Sequence, residues 1–304
     1  MRVSSNQYHI TVNASLQNSN AQLEKLMGQM ASGNRLTRPS DDPIAHVRIA
    51  RLQREEASIA QYKDNIGALS SRMTQSETVL GSINSDLLAG RDLLVWALDG
   101  GNTAEDLSAM ATSLEALRDG LYASTLTKDQ EGTYLFSGTL SKTPTLGLDR
   151  TAAAGSRYSA DGNAEQQMVV VGNGITQPAN VTLGGEMASV LNALDAAIGG
   201  IRGGNTTAND PATRATLQAA LEGVDQSMDQ VSTKISKLGG AQNIIATLNT
   251  NWSNLSTANQ TSVLEYSQLN YSTAAVQLKS LISAVQATQA AYGKVSQLSL
   301  FDAL

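Results

Sequence analysis

Apolar residues recur at alternating steps of three and four through most of this chain, and no other feature limits its fold so tightly. From Ile59 they run Ile59, Tyr62, Ile66, Leu69, Met73, Leu80, Ile83, Leu87 and Leu94, missing a beat only at Ser76 and Gly90. Leu217, Leu221, Val224, Met228, Val231, Ile235, Leu238 and Ile245 repeat the pattern. Each end of the chain carries its own version. Leu16, Leu23, Leu26 and Met30 lie near the start; Leu264, Tyr271, Ala274, Leu278, Leu281, Val285, Tyr292 and Val295 lie near the finish. A 3.5-residue repeat keeps one narrow face of a helix turned toward a partner, as in coiled coils. A helix over residues 44–98 would be roughly 80 Å long at 1.5 Å rise per residue. The fold class that follows is mainly α: a long coiled-coil-like helical rod from paired N- and C-terminal arms, with a small β-rich inserted domain.

Composition supports narrow seams over a rounded core. Aromatics make up 4% of the 304 residues, with 2 Trp and 2 Phe, so bulky core filling is scarce. There is no Cys, which removes disulfides and thiolate metal sites. A formal charge of −6 leaves no basic stripe for nucleic acid, and no apolar run approaches the roughly 20 residues a membrane helix needs. Behind Met1, Arg2, Val3 and Ser4 there is no apolar stretch of the kind a cleavable signal carries.

Punctuation between the runs places the elements. Gly33 and Pro39 stop the first helix, and Asp42-Pro43 restarts the next with a side-chain cap ahead of Pro at the first helical position. Gly100-Gly101 ends the long helix, and Thr103 with Asp106 forms a capping box for a shorter one. Asp210-Pro211 opens the third heptad run. From 133 to about 185 the period changes: residues 133–136, 157–160 and 168–171 read as strands between Gly- and Asn-rich turns. Residues 186–198 read as a short helix, and 199–209 as a flexible return. The domain boundaries expected are 1–32 with 263–304, a linker 33–43, 44–131 with 205–262, and an insert at 132–204. Because its strands lie outside every heptad seam, the insert is expected to be dispensable.

A search for chemistry returns no catalytic, cofactor or metal site. His9 and His46 are the only histidines, and neither has ligands at metal spacing. Asp41-Asp42 beside Pro43 reads as a helix start, where carboxylates suit the macrodipole, more readily than as an acid–base pair. The glycines at 172–174, 184–185 and 203–204 fit no phosphate loop.

Two stretches are more specific than periodicity. Gly33-Asn34-Arg35-Leu36-Thr37-Arg38-Pro39-Ser40-Asp41-Asp42-Pro43 resembles the Gly-x-Arg-x-x-x-Pro-Ser-Asp-Asp-Pro signature of the flagellar hook–filament junction family, relatives of flagellin. The ending through Gln297, Leu298, Ser299, Leu300, Phe301, Asp302, Ala303 and Leu304 is similar to that family's Leu-Ser-Leu-Phe close. Segments 89–95 and 132–139 also look similar to family segments, so the resemblance covers roughly 1–145 and 210–304. One departure is that Ser267-Gln268-Leu269-Asn270-Tyr271 keeps the aromatic that opens the family's last helix but lacks the acids before it.

The resemblance implies a non-enzymatic structural subunit of the extracellular flagellum, exported by the type III route without a cleavable signal. The two terminal segments would pair as an inner coiled-coil layer, and the insert would project outward. Copies would form a ring, meeting a neighbouring hook-associated protein on the hook side and flagellin on the filament side. An export chaperone would hold the last helix. The implied assembly seams are Leu16, Leu23, Met30, Leu278, Leu281, Val285, Tyr292, Val295, Leu298, Leu300 and Phe301. Arg35, Pro39, Ser40, Asp41, Asp42 and Pro43 form the linker. A filament subunit of the flagellin type and a non-flagellar secreted coiled-coil protein are the alternatives. Isolated helices with so few aliphatic anchors are marginal in water. Both terminal segments are therefore expected to be protease-sensitive in the free monomer, while residues 44–262 survive. Limited proteolysis with mass spectrometry checks this; strong amide protection over 265–300 in dilute monomer would refute it.

Overall fold

The computed structural model describes the backbone of residues 2–203 and 210–301, and side chains over 7–203 and 210–294. Among the described residues six helices and four short strands follow in the order α1 (Arg2–Ser32), α2 (Pro43–Ala97), α3 (Ala104–Thr125), β1 (Leu146–Leu148), β2 (Tyr158–Ala160), β3 (Met168–Gly172), β4 (Ile175–Pro178), α4 (Gly184–Arg202), α5 (Pro211–Ser267) and α6 (Tyr271–Phe301). The mainly α class is therefore met. The expected return at 199–209 starts inside α4, and its residues 204–209 lie outside the described ones. The chain divides into two units, Met1–Ser58 with Asn254–Leu304, and Ile59–Ser253.

The helix starts obey local chemistry. At α3, Thr103 Oγ1 accepts from the Asp106 amide while the Asp106 carboxylate accepts from the Thr103 amide, so two orphan donors are satisfied reciprocally. Asp210 accepts from the Thr213 amide at 2.9 Å ahead of Pro211, and Asn270 accepts from the Thr273 amide at 3.2 Å at the start of α6.

In the unit Ile59–Ser253 the heptad residues form one apolar core. Leu80, Ile83, Leu87 and Leu94 of α2, Leu107, Leu114 and Leu121 of α3, and Leu217, Val224 and Val231 of α5 all join it. Sequence periodicity placed these faces correctly, because the 3.5 repeat records which side of a helix is covered. Phe136 is the largest of the fully buried side chains among the described residues.

The inserted region differs from its expected form in two ways. Residues 133–136 are no strand; only an isolated bridge joins Tyr134 to Lys128. Asp129 binds the Glu131 and Thr133 amides, turning the chain, and Leu135, Phe136, Ser137 and Gly138 are all buried. Four consecutive buried residues offer no alternation for a half-covered sheet. The strands instead form two antiparallel pairs, β1 with β2 and β3 with β4. The second difference is that the insert is no detachable module. Leu146, Val171, Leu183 and the α4 residues Met187, Val190, Leu191 and Leu194 belong to the same core as the helical arms. Replacing residues 140–200 by a flexible linker would strip that core, so dispensability does not follow from the strands lying off the heptads.

Side chains complete both sheets. Asn192 of α4 accepts from the Tyr158 amide at 2.9 Å and donates to its carbonyl at 2.8 Å, so a side-chain amide takes the place of a third strand. Along β3, Asn65 donates to the Val170 carbonyl and Trp252 Nε1 to the Val171 carbonyl. Asp195, 1% exposed, receives Arg118 at 2.7 Å, Arg157 at 3.2 Å and the Gly155 amide at 3.0 Å.

Removing one partner of a buried ion pair leaves the others desolvated and unpaired. Asp195→Ala is therefore expected to cost about 3 kcal/mol of unfolding free energy. Thr103→Ala, which loses an exposed cap, should cost about 1 kcal/mol. Denaturant titration followed by Trp252 fluorescence separates the two.

Candidate assembly site

The unit built from residues 1–58 and 254–304 holds every linker residue and both terminal helices. Here α1 packs along α6. Leu16, Leu23, Met30, Leu278, Leu281, Val285 and Tyr292 are all half-buried on the seam of this pair. Met30, Leu278 and Leu281 pack around a small buried nucleus of Leu26, Leu269 and Ala274. His9 meets the Tyr292 ring edge-on at 5.3 Å. Helical backbone continues through Val295, Leu298 and Leu300 to Phe301, but those four side chains lie outside the described residues. Leu264, counted with the last helix by its spacing, sits on α5 and is 59% exposed.

The linker is a clasp whose partners come from 230 residues away. Gly33 turns the chain out of α1 with φ +72°, a conformation that costs a side-chain-bearing residue. A Cβ there would also sit 3.2 Å from the Tyr271 hydroxyl. The Leu269 amide then donates to the Gly33 carbonyl at 2.9 Å and the Arg35 amide to the Ser267 carbonyl at 2.7 Å. These two bonds form an antiparallel bridge of Asn34 with Gln268, within the three-residue break between α5 and α6. Arg35 adds a 3.1 Å bond to the Tyr266 carbonyl and a 3.4 Å ion pair with Asp42. Gln29 donates to the Arg35 carbonyl, and the Tyr271 hydroxyl to the Met30 carbonyl at 3.1 Å. Arg48 lies over the Tyr266 ring and donates to its hydroxyl.

The two aspartates divide the work. Asp42 caps α2, accepting from the Ala45 amide at 3.0 Å with exposed Pro43 at the first helical position. Asp41 does not reach α2, which corrects its reading as a helix-start carboxylate. The amide of Asp41 closes a turn onto the Arg38 carbonyl, with Pro39 and exposed Ser40 at the corner. Its carboxylate accepts from the Thr37 and Arg38 amides and from Lys25 Nζ at 2.7 Å. Lys25, with the Arg38 and Thr37 amides, holds the Asp41 carboxyl far below the usual carboxylate range. The Ala45 amide and then Arg35 depress Asp42. Spacing gives no signal for Lys25 or Tyr266, because their linker partners, Asp41 and Arg35, are distant in sequence.

This geometry holds backbone; it presents no assembled nucleophile and base. The sequence profile of the bacterial flagellin N-terminal helical region matches residues 3–141. A solved flagellar hook-associated protein from Vibrio parahaemolyticus shares 30% identity with the chain, with a TM-score of 0.67, over 75% of this chain and all of that one. The chain belongs to the flagellar hook-associated protein family. Among curated relatives of this hook-associated chain, hook-associated protein 3 of Escherichia coli K12 is 25% identical across 94% of both sequences. The flagellar junction protein of Legionella pneumophila, at 15% identity and a TM-score of 0.58, shares the fold. This family member is thus a structural component of the bacterial flagellum.

Both linker aspartates have folded pKa values below the ordinary value of about 3.9. A depressed carboxyl stabilises the fold above its unfolded pKa and loses that contribution as pH falls through the folded one. The clasp should therefore be intact at neutral pH, and its stabilisation should decline as pH falls from about 4 through the depressed folded values of the two carboxyls. Asp41→Asn should reproduce the loosening at pH 7, seen as several-fold lower amide protection at Arg35, Arg38 and Leu269 than in the unaltered chain. Unchanged protection at these amides would show that Asp41 does not support the clasp.

Proposed function

We propose that this chain is the subunit that joins hook to filament, assembling with copies of itself into a ring. The observation that carries the reading is the match to hook-associated proteins across both arms, with the Pro-Ser-Asp-Asp-Pro linker folded into a backbone clasp. In this reading the ring meets another hook-associated protein on one side and flagellin on the other. Residues 1–32 and 263–304 form the inner layer, 44–131 with 205–262 the helical layer, and 132–204 the outward region. Binding is by burial of apolar seams, which contributes about 25 cal/mol per Å² before ordering costs.

The half-buried seam of α1 against α6 supports coupled folding and assembly, since Leu26 and Ala274 are its only fully covered members among the described residues that the two helices contribute. Leu278, Leu281, Val285 and Tyr292 then act as assembly residues, joined by Val295, Leu298, Leu300 and Phe301 further along. Export proceeds through the flagellar type III apparatus, with a chaperone covering α6 until delivery. The clasp of Arg35, Pro39, Ser40, Asp41, Asp42 and Pro43 sets where the inner layer leaves the helical one.

Deleting the gene should leave hooks intact, strip the filaments and release flagellin monomer into the medium. Retention of normal filaments would overturn the reading. Leu278→Asp with Val285→Asp should abolish filament attachment, yet leave the melting of the unit Ile59–Ser253 unchanged by calorimetry.

A further inference from the structure

Two stripes of α2 point away from the cores and carry opposite charge. The first, in the unit of the termini, shows Ile44 and Val47, both 69% exposed, beside Arg51 and Arg54. Steps of three and four place these four on one face, away from the buried Ala45 and Ile49. The second stripe, in the other unit, shows Leu88, Val95 and Trp96, the last 65% exposed, beside Asp92. In a chain with only two Trp, an exposed one flanked by aliphatic residues is a large apolar surface left uncovered. Neither Arg51, Arg54 nor Asp92 forms an ion pair among the described residues.

The wider charge distribution has the same polarity. Residues 59–253 hold 12 Lys and Arg against 20 Asp and Glu, a formal −8, whereas the rest of the chain holds 9 against 7, a formal +2. Two copies therefore repel when their acidic units meet and attract when the acidic unit of one meets the basic stripe of another. Trp and Arg are the side chains that most often dominate protein interfaces, and a guanidinium can stack on an indole face.

We infer that the Leu88–Asp92–Val95–Trp96 stripe of one copy docks on the Ile44–Val47–Arg51–Arg54 stripe of a second copy. The contact is heterologous, so it repeats around a ring instead of stopping at a pair. It rests on the reading that copies assemble at the hook–filament junction, and it names which surfaces meet. Apolar side chains supply the burial, and the aspartate and arginines select the partner face and speed encounter.

Charge reversal in cells lacking the native gene tests the contact, with attached filaments counted by electron microscopy. Circular dichroism of each purified variant confirms that these exposed changes leave the fold intact. Asp92→Lys alone, and Arg51→Glu with Arg54→Glu, should each reduce attached filaments about tenfold by placing like charges together. The chain carrying all three changes restores opposite charge between copies and should return to within about twofold of the unaltered chain. Trp96→Ser should fall about tenfold and not be rescued by any charge change. If the triple variant is as defective as either parent, the stripes meet other proteins and the inference is overturned. Normal attachment with either reversal alone, or with Trp96→Ser, overturns it too. Filaments that persist without any gene product would instead sink the junction reading itself, which separates the two failures.

Discussion

A helical seam covers about two residues in seven, and the long helices of this chain bury their apolar residues on such seams. With 41% apolar residues and few aromatics, no rounded core is available, so each helix is stable only while a partner covers its stripe. In the unit Ile59–Ser253 the partners are all present, and Leu80, Ile83, Leu87, Leu94, Leu114 and Leu217 are fully buried. Along α1 and α6 coverage is partial, and most seam positions stay half exposed. The same sequence rule thus yields a finished core in one place and an unfinished interface in another.

The clasp solves a problem that seams leave open. Heptads specify which face of a helix is covered, but not where the chain must leave one helix and enter the next. Gly33, the Asn34–Gln268 bridge and the Asp41 and Asp42 carboxylates fix that point with directional bonds. Ser256 and Gln260 of α5 both donate to Glu56 of α2 in the same unit, adding a polar layer between the two helices. One polar layer of this kind favours a single register over its neighbours, because a slip would strand the carboxylate.

Legibility in the sequence followed the range of the interaction. Periods, caps at Thr103, Asp210 and Asp42, and the positive-φ stop at Gly33 are set within a few residues, and they read out directly. Residues 133–136 carry strand formers, yet the Asp129 turn onto the Glu131 and Thr133 amides and the burial of Leu135 and Phe136 overrode that propensity. The strands β1 and β4 span only three and four residues, too few for a periodic pattern to stand out from the surrounding turns. Asp41 looked like a cap by position; its true partners, Lys25 and the Thr37 and Arg38 amides, are invisible to spacing arguments. The buried group around Asp195 joins Arg118 and Arg157 from separate elements, and no local pattern records that meeting.

The amides and indole that finish the two hairpins bear on what the sheet edges offer to any other chain. A bare strand edge is a template for another strand, whatever chain it comes from. Asn192 occupies both backbone groups of Tyr158, while Asn65 and Trp252 take the carbonyls of Val170 and Val171. Pro178, at the end of β4, has no amide hydrogen to offer a neighbour. With these groups already bonded, another chain meeting the hairpins finds few free backbone donors and acceptors to pair with, so contact through helical surfaces is favoured over continuous sheet.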